Sequence, residues 1–438
     1  MSLLRRPNQA VMRAPSDARA ATAAASALDD APGAAVPSDS SWLAGLFINR
    51  DFAVYTAGAF VSATGSWFQV VGLGWLVVSE GGRQAGFWLG LVGFASLIPV
   101  LLLGLVGGLL ADLISRRRLL LITQLVNASV LLLLAYLTAT GRATIGVILT
   151  FATVMGIISA LTWPTWQAVI NDMVEPRDLA RAIALNSARF NLTRVVGPAV
   201  GGGLLTLIGP AWCFAANAAT AFGVTGSLLS IRFRPRPQRS REGLRQALLG
   251  GLIYARETPR ALTLLLATSA LGVFGLPYNS FLPAFAKDIL RAGPGGLGLL
   301  LTAVGVGALF GAVASGMAWA VEQRRLVLCG ALALFGLADL LFSASHWLPL
   351  SLLMLSVLGF AMLLYLASAN TMLQSEVPPA VLGRLMGIWV IVTSGTTPLG
   401  SLAIGALSAA TGVQAAVGLG GVCCILSGAV LAFSRHIA

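Results

Sequence analysis

The chain has 438 residues, 57% of them hydrophobic and 10% charged, with a mean hydropathy of +0.86. Soluble domains carry roughly 25% charged residues, so a chain this apolar cannot cover its surface in water and belongs in a membrane. The net charge of +12 comes from 28 Lys and Arg against 16 Asp and Glu. These charges sit between apolar segments rather than in one patch, which argues against a nucleic-acid partner.

Residues 1–44 are rich in Ala, Ser, Pro and Arg and hold no continuous apolar run. They are expected to be a disordered cytoplasmic tail and not a cleaved signal. Twelve apolar segments follow, near 52–79, 86–111, 119–140, 144–166, 183–209, 211–231, 261–286, 295–320, 326–345, 348–373, 385–409 and 413–433. Each is close to the ~20 residues a spanning helix needs. Their length and their Leu, Val, Ala and Gly content exclude barrel strands. The expected fold is an all-α membrane protein with twelve transmembrane helices in two six-helix halves, 45–231 and 260–438. A basic cytoplasmic linker, 232–259, joins them. Within it, Leu244, Ala247, Leu248, Gly251, Leu252 and Ala255 recur at helical spacing, which predicts a short amphipathic helix on the inner membrane surface.

With twelve spans and a cytoplasmic N-terminus, 22 of the 28 basic residues fall on the cytoplasmic side. The positive-inside rule then places both termini in the cytoplasm of a multi-pass inner-membrane protein.

The two halves echo each other at an offset of 203: Gly104 and Gly108 match Gly307 and Gly311, Val174 matches Val377, Arg181 matches Arg384 and Gly197 matches Gly400. After the second glycine pair the correspondence slips by four, setting Arg117 and Arg118 against Arg324 and Arg325. The copy of Asp112 is Ser315. Six helices per half make the halves parallel repeats about an axis along the membrane normal, an arrangement that places a substrate cavity between them.

Two motifs carry mechanism. The first runs from Gly104 through Gly108 and Asp112 to Arg116, Arg117 and Arg118, a tight turn whose charges are too costly for lipid. The Asp can face a helix N-terminus and pair with the arginines. A contact of this kind can form in one conformation and break in another, as a gate requires. The second is Arg194 followed by Gly197, Pro198, Gly201 and Gly202. Pro removes a backbone hydrogen bond and the glycines allow close helix approach, so this stretch is the expected hinge. Gly395, Pro398 and Gly400 form its weaker echo.

The first motif resembles the loop signature of the major facilitator superfamily. The stretch from Pro164 to Ser187, together with Gly72, Gly74 and Trp75, is similar to the branch that holds enterobactin exporters and macrolide efflux proteins. The resemblance covers 45–435. It implies the major facilitator fold, alternating access and a monomer. It also implies export of a bulky amphiphile such as a siderophore or drug, and the Gly-Pro motif is similar to that associated with antiporters. The chain departs from the pattern in places. Thr193 replaces the motif's leading glycine, Ala152 stands where exporters often carry an Arg before Gly156, and Ser66 follows Gly65 where an acidic residue is common.

Ionisable residues within the membrane are candidates for function. Arg189 and Arg194 are five apart, about 140° around a helix, so they are not expected to face one partner; Arg194 is favoured for the cavity. Asp339 is the sole carboxylate well inside an apolar segment and the proton-coupling candidate. The resemblance makes the first, fourth, seventh and tenth helices the cavity helices. They offer Ser66, Trp67, Gln69, Thr162, Tyr278, Asn279, Tyr365 and Asn370: aromatic, neutral and almost free of negative charge. That set favours a neutral or anionic amphiphile over a cationic drug.

Cys213, Cys329, Cys423 and Cys424 lie inside apolar segments with neither disulfide nor metal spacing. No Gly-x-x-x-x-Gly-Lys loop exists to use ATP, so protons are the expected energy source and no cofactor or metal is expected. His346 and His436 lie on opposite sides of the membrane, leaving no nucleophile–His pair and no enzyme. An importer or symporter of the same fold, and a transporter-shaped sensor or scaffold, stay open as alternatives.

Overall fold

The computed structural model describes residues 49–231, 244–317 and 323–434. The expected tail and residues 232–243 of the linker lie outside these described residues. Within them the chain is helical: α1 Arg50–Glu80, α2 Ala85–Leu113, α3 Arg116–Ala139, α4 Ile145–Met173, α5 Leu179–Ser230, α6 Leu244–Glu257, α7 Pro259–Ala270, α8 Tyr278–Ala284, α9 Gly293–Ser315, α10 Arg324–Ala344, α11 Leu348–Glu376, α12 Pro379–Gly395, α13 Thr397–Thr411 and α14 Val413–Phe433. Helix α6 covers the predicted linker helix.

Eleven stretches among the described residues are long and apolar enough to cross a membrane. One of them, α5, has 52 residues. At 1.5 Å per residue it would be far longer than the ~30 Å hydrocarbon core. It breaks at Gly209, whose φ of 81° and ψ of 177° suit glycine alone. Beyond the break the chain doubles back: Cys213 Sγ comes within 4.0 Å of the Gly201 carbonyl, twelve residues earlier. The two limbs of α5 are therefore two crossings, and the twelve expected spans result.

Local chemistry sets the ends. Asn49 caps α1 by accepting from Phe52 N at 2.7 Å, and its amide donates to Met173 O at 2.9 Å, fastening the start of α1 to the end of α4. Pro277 lacks the N–H that would continue the preceding turn, and a π-helical turn, Leu271–Gly275, stands before it. The Pro398 echo breaks its span between α12 and α13, where it occupies the first turn of α13. Pro198, by contrast, lies inside the unbroken first limb of α5.

The halves meet through glycine. A Cβ on Gly202 of α5 would lie 2.6 Å from Gly298 Cα of α9, and one on Gly90 of α2 would lie 2.6 Å from Gly405 Cα of α13. Only residues without side chains allow backbones this close. Both crossings lie at the face away from Arg116–Arg118. There Lys287 Nζ also donates to Val78 O at 2.5 Å, tying the second half to α1.

These crossings correct the repeat register. Gly298 follows Gly90 by 208 positions, whereas Gly405 follows Gly202 by 203. The approach of Gly156 to Ser96 O repeats as Gly359 to Val304 O, again 203 and 208 positions on. The true partner of Gly108 is therefore Gly316 rather than Gly311, and that of Asp112 is position 320, outside the described residues, rather than Ser315. The five-residue difference arises across α10 and the turn behind it: that helix has 21 residues against 24 in α3, and the turn, 345–347, is two shorter than 140–144.

Candidate functional site

At the basic face, Arg116 Nη1 pairs with Asp172 Oδ2 at 2.6 Å, and Arg117 Nη2 donates to Leu229 O at 2.5 Å. The second half repeats both contacts at corresponding positions: Arg324 donates to Ser375 Oγ at 3.0 Å and Arg325 to Ala432 O at 2.6 Å. Asp172 was not singled out by the sequence, although it sits inside the stretch that carries the family resemblance. Arg118 remains exposed. Asp112 occupies the last turn of α2, and its side chain lies outside the described set.

A cavity of about 860 Å³ opens among α1, α3, α4 and the first limb of α5. A volume of this order suits a drug-sized molecule. Its lining reaches Tyr55, Gln167, Ile170 and Ile183, toward the basic-side ends of α1, α4 and α5, while the halves are closed at the opposite face. Aromatic pairs shape its walls: Tyr55 with Trp166 at 6.0 Å between centroids, and Trp163 with Phe190 at 6.3 Å.

Of the expected cavity residues, Ser66, Gln69, Thr162 and Arg194 line this space. The others do not. Trp67 turns its indole against Gly197, where a Cβ would come within 2.3 Å of it. Tyr278 is buried edge-on to Phe335, and the Tyr365 hydroxyl lies 3.0 Å from Thr268 Oγ1. Asn279 and Asn370 are also absent from the lining; Asn370 instead accepts from Gln374 at 3.2 Å. The aromatics expected from the seventh and tenth spans build the core of the second half. That half gives the cavity one side chain, Leu363. Gln124 and Asn127 of α3, and Asn186 and Asn191 of α5, take part unforeseen. The available signal was an amide deep inside an apolar segment.

Both arginines line the same cavity, against the angular expectation, because long side chains sweep around a helix. Their surroundings differ. Arg189 donates to Ala59 O and to Asn186 Oδ1, each at 2.8 Å, and so braces α5 against α1. Arg194 stacks on Phe190, its guanidinium 5.4 Å from the ring centroid, and no hydrogen bond or ion pair joins it to a described residue. The lining holds no carboxylate.

Asp339 of α10 is fully buried in the second half, and neither carboxyl oxygen has a hydrogen-bond partner. It faces Gly420 and Gly421 of α14; a Cβ at position 420 would lie 3.7 Å from Asp339 Oδ2 and 2.2 Å from the Phe274 carbonyl of the π-helical turn. Burying a lone carboxylate costs several kcal/mol unless it takes a proton or a partner. Among the described residues, no cluster of His, Cys, Asp or Glu could hold a metal ion.

With this geometry in hand, the chain belongs to the transmembrane secretion effector family of major facilitator transporters, whose profile matches residues 40–437. It is 24% identical to the staphyloferrin A transporter of Staphylococcus aureus over 355 residues, 80% of this chain and 87% of that one. It is 26% identical to the multidrug efflux pump Tap of Mycolicibacterium fortuitum, over 83% of this chain and 89% of the pump. A third relative, the enterobactin exporter EntS of Escherichia coli O1:K1, is 30% identical over 54% of this chain and 56% of its own. In fold, the chain matches a bacterial homologue of the human lysosomal transporter Spinster in its inward-facing, unoccupied conformation, with a TM-score of 0.71 at 15% identity, covering 87% and 96% of the two chains. It also matches a D-xylose–proton symporter, with a TM-score of 0.66 at 14% identity over 89% and 97%. It is a multi-pass membrane transporter and not an enzyme.

Proposed function

We propose that this transporter exports a bulky amphiphilic small molecule, neutral or anionic and of siderophore or drug-like size, by alternating access. One observation carries the reading: a cavity with aromatic walls, two guanidinium groups and no carboxylate. Such a lining attracts anions and aromatic surface and gives a cation no counter-charge. Three relatives, two of them named as siderophore transporters and one as an efflux pump, support the same substrate class.

In this reading the basic face is cytoplasmic, with both termini on that side, and the cavity takes its substrate from the cytoplasm. Release requires the glycine crossings at the outer face to part while the inner face closes. Gly108, Asp112 and Arg116–Arg118 serve the inner gate; Gly197, Pro198, Gly201, Gly202 and Pro398 serve the bending and close packing of the moving helices. Protons supply the energy, with Asp339 as the residue that carries one. A single chain suffices, since the cavity is completed within it.

The deciding experiment is small-molecule profiling of spent medium and cell extract, with and without the gene, in iron-rich and iron-poor culture. Export predicts a compound that leaves the medium and builds up in cells on deletion, and a siderophore if this occurs only without iron. A medium component left unconsumed in the deletion strain would replace the export reading with an importer.

A further inference from the structure

The cavity's chemistry can be narrowed by setting aside the polar groups that already have partners, an inference that rests on reading this cavity as the substrate site. Thr123 and Thr162 donate to carbonyls of their own helices. Arg189 and Asn186 engage each other, and Gln69 accepts from Asn217 at 3.1 Å. On the mid-membrane lining this leaves the Arg194 guanidinium, the hydroxyls of Ser62 and Ser159, the indoles of Trp163 and Trp166 and, on α3, the amides of Gln124 and Asn127; of these only the two amides carry a donor and an acceptor side by side with no hydrogen bond to a described residue.

Gln124 and Asn127 are three apart, so they share one face of α3. They lie about 12 and about 17 Å from its basic-side end at 1.5 Å per residue, well within the hydrocarbon. The rest of α3 is sorted between lipid and protein: Ile122, Leu125 and Val126 are exposed, and Leu120 and Leu131 are buried. An amide at that depth would cost several kcal/mol facing lipid, which is why the two are turned into the cavity, where water or a substrate answers the donor and the acceptor. Two amides at helical spacing, turned into a cavity, make a receptor for groups that present a donor and an acceptor together.

We infer that Gln124 and Asn127 form a second subsite, which reads an uncharged amide-bearing arm while Arg194 holds an anionic group. The substrate is then an elongated amphiphile with an acidic end, an aromatic or apolar body against Trp163, Trp166 and Phe190, and at least one internal amide. A peptide-type group matches a carboxamide donor for acceptor. A simple hydrophobic acid fills the Arg194 position and leaves the amides of α3 unanswered.

Three fluorescent probes of one length test this in purified, detergent-solubilised protein: dansyl-glycylglycine, its methyl ester, and dansyl-5-aminopentanoate, in which two methylenes replace the internal amide. The intact protein should bind the first about tenfold tighter than either of the others, the scale of one good hydrogen-bonded group. The double substitution Gln124→Leu and Asn127→Leu should erase the advantage over the pentanoate and keep the advantage over the ester. Arg194→Leu should do the reverse. The retained preference in each variant reports that it is folded. Equal binding of all three probes by the intact protein, an undiminished amide preference in the double variant, or no saturable binding of dansyl-glycylglycine would each overturn the subsite. Binding in detergent is blind to transport direction, so loss of the export reading in the culture experiment would leave this result standing, and the converse holds.

Discussion

Arg116 and Asp172 form a 2.6 Å ion pair that fastens the start of α3 to the end of α4, and the structure repeats the contact in the second half with a hydroxyl in place of the carboxylate, as Arg324 to Ser375. The same scaffold thus holds an ion pair in one half and an arginine on an uncharged acceptor in the other. A carboxylate that is 8% exposed and an arginine that is 29% exposed feel less solvent screening than a surface pair.

Asp172→Asn keeps the shape and removes the charge. It should lower stability by about 1.5–3 kcal/mol, the range for a hydrogen bond to a charged group, and slow transport. Ser375→Asp should supply Arg324 with a counter-charge and raise the thermal midpoint. Thermal unfolding in detergent reads both, and equal midpoints for the first variant and the parent would remove the clasp from the inner gate.

Gly202 and Gly298 meet backbone to backbone where the halves close. Gly298→Val should force the crossing apart at about 1–3 kcal/mol of overpacking, enough to move a two-state balance about tenfold or more toward an open outer face. Cysteines placed beside the Gly209 break of α5 and at the start of α9 should then react faster with a membrane-impermeant maleimide. Unchanged labelling would mean that the crossing does not act as an outer seal.

The two cavity arginines should separate in function. Arg194→Gln should weaken binding of anionic amphiphiles by about tenfold to a hundredfold, since it removes a charged donor that makes no hydrogen bond or ion pair to a described residue. Arg189→Gln should act first on stability, because that side chain holds Ala59 O and Asn186. Binding and melting curves on both variants check the pattern; a matched loss of affinity would give both the same role.

Asp339→Asn retains the volume of the buried carboxyl and cannot exchange a proton. If Asp339 carries the coupling proton, the variant should lose the dependence of transport on an imposed pH gradient and keep substrate exchange at equal pH. Proteoliposome assays with and without the gradient distinguish the two, and a full response to the gradient would clear Asp339 of that task.

The spans were legible because an apolar run of bilayer length has few other uses, and the chain reversal at Gly209 fell where the glycine and proline marked it. Which way each helix is rotated was not legible. Trp67 and Gln69 differ by two positions in one span, yet one packs on Gly197 and the other lines the cavity. Tyr278 and Tyr365 have the chemistry of ligand-binding residues, and the core of the second half uses them instead. Glycine matching misread the repeat because a chain with 50 glycines aligns with itself at several offsets. Contacts between helices fix the register, since a backbone crossing tolerates no slip.

The cavity draws on one repeat almost alone, with Leu363 as the lone contribution of the other. In the proposed transport cycle the two repeats thereby divide their tasks, the first as reader and the second as counterweight. Substrate range can drift through the cavity side chains between Tyr55 and Arg194 without touching Asp339 or the Gly90–Gly405 and Gly202–Gly298 crossings. Variants selected for tolerance of a new toxic compound should accordingly cluster in that first stretch, and relatives with unlike cargoes should differ most there.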